Sequence, residues 1–335
     1  MSAPQVLVEY TRAGQLETVN RGWIAIAKSD GSLVASVGDP EKLVFPRSAM
    51  KPFQAIAMVE SGAPEQFGYG APELSVSCAS HNGEERHRQV VAGMLEAAGQ
   101  PISAMLNGAD PEGAAGVRID RPVTDDNQLA QNCSGKHAGM VAACTARGLP
   151  VAGYDDFDHP HQVEIKRIVS QFWDVSPDDL VPGRDNCTLP VYGAPIRQVA
   201  TGWARIANPE HAPEEHRSAI TRLGDAMGRE PFLVAGTNRL NTILMETTGG
   251  RILAKDGAEG VLCIAIRDQG LGIAFKIEDG AYRSHGVIMH RLLRELGALS
   301  DDEDARLSEI YKTALYSNRH QHVGDMQAVF ELERV

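Results

Sequence analysis

Runs with the pattern of β-strands lie near both ends of this chain, and the long stretch between them has a different pattern. The runs are rich in β-branched and apolar residues and are bounded by turn-forming residues. They cover 6–10, 17–19, 22–27, 33–37, 250–254, 260–267 and 270–277. Consecutive strands are usually neighbours in one sheet, so we expect one antiparallel sheet assembled from both termini.

The stretch between the strand-like runs has the periodicity of helices. After Pro46, apolar residues recur at helical intervals as far as Gly62-Ala63-Pro64, where the pattern stops. Further helices are predicted at 84–98, 134–147, 161–172, 194–206, 214–227 and 282–296. The expected fold is therefore α/β (α+β), with strands at the two ends and helices in the middle.

The chain is expected to form a single catalytic unit over 1–335. Its length and its 43% of hydrophobic residues allow it to bury a large core. The expected sheet-containing part covers about 1–45 and about 247–335, and the mainly helical part covers about 46–246.

The composition of the chain argues against two classes of partner, nucleic acids and membranes. The chain has 32 basic and 44 acidic residues, which gives a formal net charge of -12, and it has no basic run. We therefore expect no nucleic-acid partner. We also expect no membrane partner, because no apolar run approaches the roughly 18 residues of a membrane span. Residues 1–15 lack the pattern of an export signal, so a cytoplasmic location is expected.

Ser48 and Lys51 form a Ser-x-x-Lys motif at the start of the first predicted helix. Residues three apart on a helix lie on one face, about 5 to 6 Å apart at Cβ, so the two side chains would point the same way. A serine hydroxyl attacks a carbonyl efficiently only when a base takes its proton, and a neutral lysine amine can be that base. The motif alone is weak, because Ser48 could simply cap the helix while Lys51 is solvated.

Two later segments complete a pattern of cooperating serine and lysine residues. They are Ser80-His81-Asn82 and Lys255-Asp256-Gly257, and their order resembles the Ser-x-x-Lys, Ser-Asp-Asn and Lys-Thr-Gly motifs of penicillin-binding proteins and class A β-lactamases. Ser80 and Lys255 could relay a proton to a leaving amine. Taken singly, Ser80 could cap the next helix and the Asp-Gly pair could form a hairpin turn. Their occurrence in order favours acyl transfer by a serine.

The five cysteines are spread through the chain without the dense pattern of a disulfide scaffold. Three lie in apolar runs and are expected to be buried thiols: Cys78, Cys144 and Cys263. The other two, Cys133 and Cys187, lie in polar segments, where their sulfurs could bind a metal ion. Because zinc favours Cys and His, the residues alone first suggest a site made of Cys133, His137, Cys187 and a water.

Four segments together resemble the rhizobial-type L-asparaginases, also called class 3 or the asparaginase II family. The segments are Arg47-Ser48-Ala49-Met50-Lys51-Pro52, Ser80-His81-Asn82-Gly83-Glu84, Asn132-Cys133-Ser134-Gly135-Lys136-His137 and Asp185-Asn186-Cys187. The resemblance spans most of the chain. It implies a serine β-lactamase-like fold, a homodimer, and hydrolysis of L-asparagine to L-aspartate and ammonia.

The resemblance also implies which residues catalyse the reaction. Two Ser-Lys tandems carry over to this chain, Ser48 with Lys51 and Ser80 with Lys255. Lys276 competes for the place of the second lysine, and Lys255 is preferred because it stands in a Lys-x-Gly context.

A zinc ion is implied as well, held by Cys133, Lys136 and Cys187, and this set replaces the first suggestion that included His137. Lysine binds a metal only as a neutral amine, so the metal charge and a desolvated pocket must remove its proton. The zinc is expected to help hold the substrate. Four further residues are expected to contact the substrate or to support the metal: Arg47, Asn82, His137 and Asp185.

Three other functions remain open at this stage. A penicillin-recognising serine acyl-enzyme would share the chemistry of Ser48, and a zinc amidohydrolase would instead use a metal-bound water. A non-enzymatic amino-acid binding protein is the third, because a fold alone does not fix a function.

Overall fold

A computed structural model of the chain describes residues 3–110 and 122–335. The chain forms two compact units, each made of several segments. The first, here called the sheet unit, consists of Met1–Ala49, Ala194–His211 and Leu244–Val335. The second, the helical unit, consists of Met50–Gly193 and Ala212–Ile243.

The strands and helices of the described residues are numbered in chain order. The strands are β1 (Gln5–Arg12), β2 (Gln15–Lys28), β3 (Leu33–Val37), β4 (Leu43–Val44), β5 (Val181–Arg184), β6 (Pro190–Pro195), β7 (Ile252–Gly257), β8 (Val261–Ile266), β9 (Leu271–Ile277), β10 (Ala314–Tyr316), β11 (His322–Ala328) and β12 (Glu333–Arg334). The helices are α1 (Lys51–Glu60), α2 (Ala63–Phe67), α3 (Ala71–Ser77), α4 (Glu85–Ala97), α5 (Asp125–Ala130), α6 (Ser134–Arg147), α7 (Pro160–Trp173), α8 (Ile196–Ala207), α9 (Arg217–Arg229), α10 (Pro231–Val234), α11 (Leu240–Thr247), α12 (His285–Glu295) and α13 (Asp301–Ile310).

The sheet unit contains one large antiparallel sheet. Its strand order is β10-β11-β1-β2-β9-β8-β7, and β3 pairs with both β2 and β12. The strands from the two ends of the chain meet where β2 pairs with β9, with Gly22 opposite Ile277 and Lys28 opposite Leu271. The prediction of an α/β fold with an antiparallel sheet built from both termini is confirmed.

Helix α8 packs tightly on one face of this sheet. A Cβ at Gly272 of β9 would overlap the backbone of Ala200 and Ala204, so a glycine is required for the close approach. The sequence pattern placed the corresponding helix, 194–206, in the mainly helical part. Its apolar face is instead buried in the sheet unit, where Val199 and Trp203 are fully buried.

The helical unit is built around α1, whose residues from Lys51 to Val59 are all buried. A helix that is buried all round must be covered by several neighbours, and α6, α7 and α9 supply them. Helix α6 approaches α3 closely, because a Cβ at Gly135 would overlap the carbonyl group of Val76. No helix among residues 3–110 and 122–335 is long and apolar enough to cross a membrane.

Candidate active site

The segment that carries Ser48 has a constrained backbone. After β4, Arg47 adopts a left-handed conformation with φ 53°, residues Arg47–Met50 form a 3₁₀ turn, and α1 begins at Lys51 with Pro52 in its first turn. A left-handed residue other than glycine costs about 1–3 kcal/mol and persists only where the surrounding structure holds it. Arg47 and Ser48 are both half-buried. Ser48 therefore lies in the turn before the helix, rather than in the first helical turn as the sequence pattern predicted.

Two contacts within the sheet unit hold this turn. The indole Nε1 of Trp203 donates to the carbonyl oxygen of Ala49 at 3.2 Å. The backbone of Pro46 lies against Gly257 at the end of β7, where a Cβ would overlap the Pro46 oxygen. The Lys255-Asp256-Gly257 segment is thus the end of a strand that passes beside the residues just before Ser48.

The two candidate lysines of the sheet, Lys255 and Lys276, lie on the face of the sheet that Pro46 contacts. Side chains of directly opposed residues on paired strands lie on one face of the sheet. Lys276 is opposite Val261, and Val261 is opposite Gly257, which is two residues after Lys255. Lys255, Gly257 and Lys276 therefore share the face on which Pro46 packs.

The two lysines differ in their surroundings. Lys255 is fully buried, and its Nζ forms an ion pair with Asp256 Oδ1 at 2.7 Å and a hydrogen bond with the Asp256 carbonyl at 2.7 Å. Lys276 is half-buried and donates to the carbonyl oxygens of Ile277 and Glu278. Burial lowers the pKa of Lys276.

Within the helical unit, the structure brings Lys51 to Ser80. The Lys51 side chain is fully buried, and its Nζ donates to Ser80 Oγ at 2.8 Å and to the carbonyl oxygen of Ala79. The predicted tandems paired Lys51 with Ser48 and Ser80 with Lys255. The observed bond instead joins one member of each predicted tandem, and both of its atoms are buried.

The backbone around Ser80 is fixed on two sides. The amide of Ser80 donates to Val234 O at 3.0 Å, and the amide of His81 donates to Asn132 O at 3.2 Å. Gly83 has φ 69°, and a Cβ there would overlap the Ala130 carbonyl. The Ser80 hydroxyl is thus held in place by backbone contacts that no local sequence motif reveals.

Asn82, a predicted substrate-binding residue, holds a neighbouring loop in the structure. Its Nδ2 donates to Thr237 O at 3.1 Å and to Glu84 Oε1 at 3.2 Å, and its Oδ1 accepts from Arg239 Nη1 at 2.9 Å. The Glu84 carboxylate also accepts from the amide and the hydroxyl of Thr237, which lowers the pKa of Glu84. Sequence reasoning missed Thr237 and Arg239, because the contact joins segments far apart in the chain.

The three predicted zinc ligands come together within the helical unit. Cys133 precedes α6, Lys136 lies in its first turn, and Cys187 lies in the loop between β5 and β6. All three side chains are buried, and Lys136 Nζ lies 3.3 Å from Cys187 Sγ. The Cys133 thiol donates to Asn132 Oδ1 at 2.9 Å, and its interaction with the Cys187 thiol shifts the pKa values of both cysteines.

The interactions among these three side chains shift their pKa values in different directions. The hydrogen bond from Cys133 and the charge of Lys136 overcome burial and lower the pKa of Cys187 to about 5. The same hydrogen bond, together with burial, raises the pKa of Cys133. For Lys136, burial is the largest single effect and lowers the pKa, but the charges of Cys187, Cys133 and Asp185 and the hydrogen bond to Cys187 together outweigh it, and the net pKa is raised. These shifts favour a thiolate at Cys187 and a retained proton on both Cys133 and Lys136.

The donor set fits zinc. Two cysteine sulfurs are soft ligands of the kind that zinc selects, and a lysine amine supplies a third donor once its proton is displaced. The hydrogen bond and the 3.3 Å contact show that the three side chains converge on one region.

His137 does not join the cysteines as a third ligand. It is fully buried, and its Nδ1 lies 2.5 Å from the Tyr154 hydroxyl. No group of three or more His, Cys, Asp or Glu side chains able to hold a metal is found among the residues that the structure describes. The described residues therefore give the first suggestion of a Cys133-His137-Cys187 site no support.

Asp185 lies in the tight loop that presents Cys187. Its amide donates to Leu189 O at 2.9 Å, and its Oδ1 accepts from the amide of Asn186 at 2.8 Å. Thr188 in the same loop has a left-handed φ of 77°. Asp185 is half-buried, and its charge contributes to the raised pKa of Lys136.

Comparison of the sequence with known protein families supports the resemblance that the site residues indicated. The L-asparaginase II family matches residues 8–328. No curated protein sequence matches the chain.

Similar solved structures include Mglu and two β-lactamases. Native Mglu has a TM-score of 0.47 and 15% identity over 83% of this chain and 64% of its own. A β-lactamase from Mycobacterium bovis has a TM-score of 0.37 and 10% identity over 87% of this chain and 95% of its own. A putative β-lactamase from Bacteroides dorei has a TM-score of 0.37 and 12% identity over 76% of this chain and 84% of its own.

The chain spans less than two thirds of two Mglu structures, 61% of one and 64% of the other. The low identities and TM-scores assign no residue of the site. The family match does cover nearly the whole sequence, and it identifies the protein: the chain belongs to the L-asparaginase II family.

Proposed function

We propose that the protein hydrolyses L-asparagine to L-aspartate and ammonia through an acyl-enzyme on Ser48. The observation that carries the proposal is the buried Lys51, which lies three residues after Ser48 and donates to Ser80 Oγ at 2.8 Å. Lysine-assisted acyl transfer needs an amine near the attacking hydroxyl, which the three-residue spacing of Ser48 and Lys51 supports, and the bond to Ser80 adds a second hydroxyl that can exchange a proton with Lys51. The family match supports asparagine as the substrate.

In the acylation step, Ser48 Oγ forms a bond to the side-chain carboxamide carbon while its proton passes to the neutral Lys51 amine. The C–N bond then breaks, and a proton is delivered to the departing nitrogen so that ammonia leaves. Ser80 is hydrogen-bonded to Lys51 and can carry that proton. Water then attacks the ester, and the proton transfers reverse. L-Aspartate is released and the Ser48 hydroxyl is restored.

Lys255 is proposed to act as a charged group rather than as a base. Its ion pair with Asp256 at 2.7 Å stabilises the ammonium form in a fully buried position. An ammonium can donate a hydrogen bond or a proton, as the second Ser-Lys tandem requires of the partner of Ser80. Lys276 stays the alternative for this role.

Cys133, Lys136 and Cys187 are proposed to hold a zinc ion. When bound, the ion would supply a fixed positive charge that helps to bind the substrate. Lys136 would have to give up its proton to the solvent to become a ligand, which the metal charge promotes. Asp185 and His137, which lie beside these residues in the chain, are proposed to support the metal site or to contact the substrate, and Arg47 is also proposed to contact it.

We also propose that the protein is a cytoplasmic homodimer without a nucleic-acid partner. The homodimer follows from the resemblance to the asparaginase II family, and the absence of a nucleic-acid partner follows from the net charge of -12. Light scattering would measure the mass of the particle in solution, for which a dimer is the expected result.

Ammonia release from L-asparagine and L-glutamine, with and without added zinc, tests the proposed function. Replacement of Ser48 by Ala is expected to lower kcat for asparagine by about four orders of magnitude or more, as for other serine nucleophiles. Ser61→Ala is the matched control, because Ser61 lies at the other end of α1 and bonds only to its own turn in the described structure. Near-native turnover by the Ser48 variant would rule out this nucleophile.

Two measurements separate this proposal from its rivals. Labelling of Ser48 by a fluorescent penicillin would indicate a penicillin-recognising enzyme. Removal of zinc by a chelator should mainly raise KM if zinc only helps to bind substrate. Complete and zinc-reversible loss of kcat would instead indicate attack by a metal-bound water.

A further inference from the structure

His81 follows the proposed proton carrier Ser80, and its ring belongs to a buried chain of three hydrogen bonds. The amide nitrogen of Gly83 lies 3.0 Å from His81 Nδ1, and His81 Nε2 lies 3.0 Å from Ser134 Oγ. Ser134 Oγ in turn donates to the carbonyl oxygen of Leu129 at 2.8 Å. His81 is 2% exposed and Ser134 is fully buried. The chain joins the segment that carries Ser80 to the first residue of α6.

The direction of each hydrogen in this chain follows from which atoms can donate. A backbone amide only donates, so His81 Nδ1 accepts from Gly83 and carries no hydrogen. The ring hydrogen is then on Nε2, which donates to Ser134 Oγ. A carbonyl oxygen only accepts, so the Ser134 hydroxyl gives its own hydrogen to Leu129. The three bonds together require one tautomer of His81, with its hydrogen on Nε2.

Ring stacking fixes the plane of the His81 side chain. The His81 ring stacks on the ring of His87 at 4.6 Å with an interplanar angle of 12°, and His87 stacks on Phe232 at 4.7 Å and 16°. His87 Nε2 also lies 3.0 Å from the carbonyl oxygen of Phe232. Because the His81 ring is stacked on one face and bonded at both nitrogens, any rotation of the side chain breaks several contacts together. His81 is therefore held in one orientation.

This orientation acts on Ser80, because the two residues are adjacent and their backbone is held from two sides. The amide of Ser80 donates to Val234 O, and the amide of His81 donates to Asn132 O. The His81 side chain adds a second tie to the same segment, two residues after Asn132. Ser80 Oγ accepts from Lys51 Nζ at 2.8 Å. A proton carrier must keep its oxygen within reach of both the donor and the leaving atom, and a misplacement of about 1 Å is enough to slow a reaction.

We propose that His81 and Ser134 are positioning residues of the hydrolysis, and that their hydrogen bond holds Ser80 Oγ where it passes a proton from Lys51 to the leaving nitrogen. The proposal rests on the proposed function, because it takes Ser80 as the carrier of that proton. In the step concerned, the Lys51 ammonium gives a proton to Ser80 Oγ while the Ser80 hydroxyl gives its hydrogen to the amide nitrogen. The C–N bond breaks, ammonia leaves, and Lys51 is an amine again.

The leaving group supplies the test, because ammonia needs a proton to depart and 4-nitrophenolate does not. kcat/KM is measured for L-asparagine and for the β-(4-nitrophenyl) ester of L-aspartate, and both values cover binding and acylation of Ser48. In Ser134→Ala, His81 Nε2–H loses its acceptor. We expect kcat/KM for asparagine to fall about tenfold, which is part of the roughly 10²- to 10⁴-fold contribution of a well-placed proton donor. For the ester we expect a change of less than about twofold, because its departure needs no proton.

Equal losses of kcat/KM for the amide and the ester would indicate general damage to the attack by Ser48 and would overturn the proposal. Unchanged values for both substrates would overturn it as well. Zinc content per chain is measured for every variant, because α6 also carries the proposed ligand Lys136.

Ser75→Ala is the matched control for Ser134→Ala. It removes another fully buried serine hydroxyl of the helical unit, which donates to the carbonyl oxygen of Glu230 at 2.8 Å. The ratio of the amide and ester values should stay at that of the wild type.

Two replacements of His81 separate its bond to Ser134 from its bond to Gly83. The amide nitrogen of Gln can occupy the place of Nε2, so His81→Gln keeps a donor to Ser134. The shorter Asn side chain reaches only the place of Nδ1, so His81→Asn keeps an acceptor for Gly83 and loses the donor. The ratio of amide to ester kcat/KM is expected to fall further in His81→Asn than in His81→Gln. An equal fall in both variants would assign the effect to loss of the ring and contradict the proposal.

The hydrogen bond itself is tested by nitrogen NMR of protein labelled at histidine, with His81→Gln used to assign the His81 signals. The wild type is expected to show a hydrogen on Nε2 and none on Nδ1. In Ser134→Ala the Nε2–H proton is expected to move to lower frequency, because its acceptor is gone. A hydrogen on Nδ1 in the wild type, or an Nε2–H signal that does not move in the variant, would refute the proposed bond.

Failure of the proposed function has a different signature. If the wild type releases no ammonia from asparagine, the proposed function fails, and the role of His81 and Ser134 in that reaction fails with it. If the wild type does release ammonia and the Ser134 variant loses amide and ester activity equally, the proposed function stands and only the positioning role is refuted.

Discussion

Lys51 in the helical unit and Lys255 in the sheet unit are both fully buried, yet their partners differ in charge. Lys51 Nζ bonds to a hydroxyl and a carbonyl oxygen, which are neutral. Lys255 Nζ bonds to the carboxylate of Asp256. An amine held by neutral oxygens can give up its charge with little penalty, whereas a carboxylate stabilises the ammonium.

Because their partners differ in charge, Lys51 and Lys255 are proposed to have different catalytic roles. Lys51, which bonds to a hydroxyl and a carbonyl oxygen, is the proposed general base. Lys255, which bonds to a carboxylate, is the proposed hydrogen-bond or proton donor. Lys136 is a third buried lysine, and its partner is the sulfur of Cys187 at 3.3 Å. Lys51, Lys136 and Lys255 are all buried, and they differ in the partner that each one bonds to.

Among the changes that test this comparison of lysines, the largest effect is expected from Lys51→Arg. Arginine stays protonated in proteins, so the variant keeps the charge and loses the base. We expect kcat/KM for asparagine to fall by about three orders of magnitude, as is usual when a general base is removed. Lys166→Arg, at a half-buried position of α7, is the control and should be unaffected. Activity within tenfold of the wild type would show that Lys51 is not a base.

Asp256→Asn tests the other side of the comparison. It leaves Lys255 without its carboxylate, and breaking a buried ion pair typically costs about 3 kcal/mol of unfolding free energy. Urea denaturation at neutral pH would measure the change. Asp268→Asn removes a more exposed partner of Arg251 and should cost less than about 1 kcal/mol. Equal losses of unfolding free energy in the two variants would mean that the buried Lys255–Asp256 pair contributes no more to stability than the exposed Arg251–Asp268 pair.

Zinc binding extends the comparison to Lys136. At neutral pH Cys187 is already a thiolate, because its pKa is lowered to about 5. The raised pKa values of Cys133 and Lys136 mean that each still holds its proton, which zinc must displace. Affinity should therefore increase with pH, by about a hundredfold per unit near neutrality for two released protons.

Competition with a chelator at several pH values would measure the slope. In Lys136→Met one proton fewer is released, so the increase should fall to about tenfold per pH unit. An affinity that does not change with pH would contradict the charge distribution of the cluster.

The smallest effect is expected from Asn82→Ala, which loosens the segment that presents Ser80 to Lys51. The variant loses the hydrogen bonds to Thr237, Glu84 and Arg239, and the expected cost is about 1–2 kcal/mol of unfolding free energy. Gln89→Ala, which breaks one bond on the surface of α4, is the control. A larger loss of asparagine affinity than of stability would favour the original prediction that Asn82 contacts the substrate.

The elements that the sequence predicted well have a strong local pattern. The helix predicted at 134–147 is α6, Ser134–Arg147, and the apolar runs late in the chain are β7, β8 and β9. The runs predicted at 17–19 and 22–27 are one continuous strand, β2. Strand β11, which lies between β1 and the edge strand β10, was missed because its residues are mixed and largely polar, and it is held by backbone pairing with both neighbours.

The site could be predicted only where its chemistry lies in short motifs. Cys133, Lys136 and Cys187 do come together, as the resemblance implied. The bond between Lys51 and Ser80 joins residues far apart in the chain, and the rule of helical spacing applied only to Ser48 and Lys51. Tyr154 gave no signal, because a lone aromatic residue in a loop is indistinguishable from a packing residue.

The close approach of Gly257 to Pro46 has a consequence for efforts to alter substrate range. A side chain at position 257 would displace the backbone two residues before Ser48, so every other amino acid there should misplace the hydroxyl. Mutagenesis libraries that randomise this strand end would consist mostly of inactive clones unless that codon is held constant, and neighbouring codons offer the useful diversity.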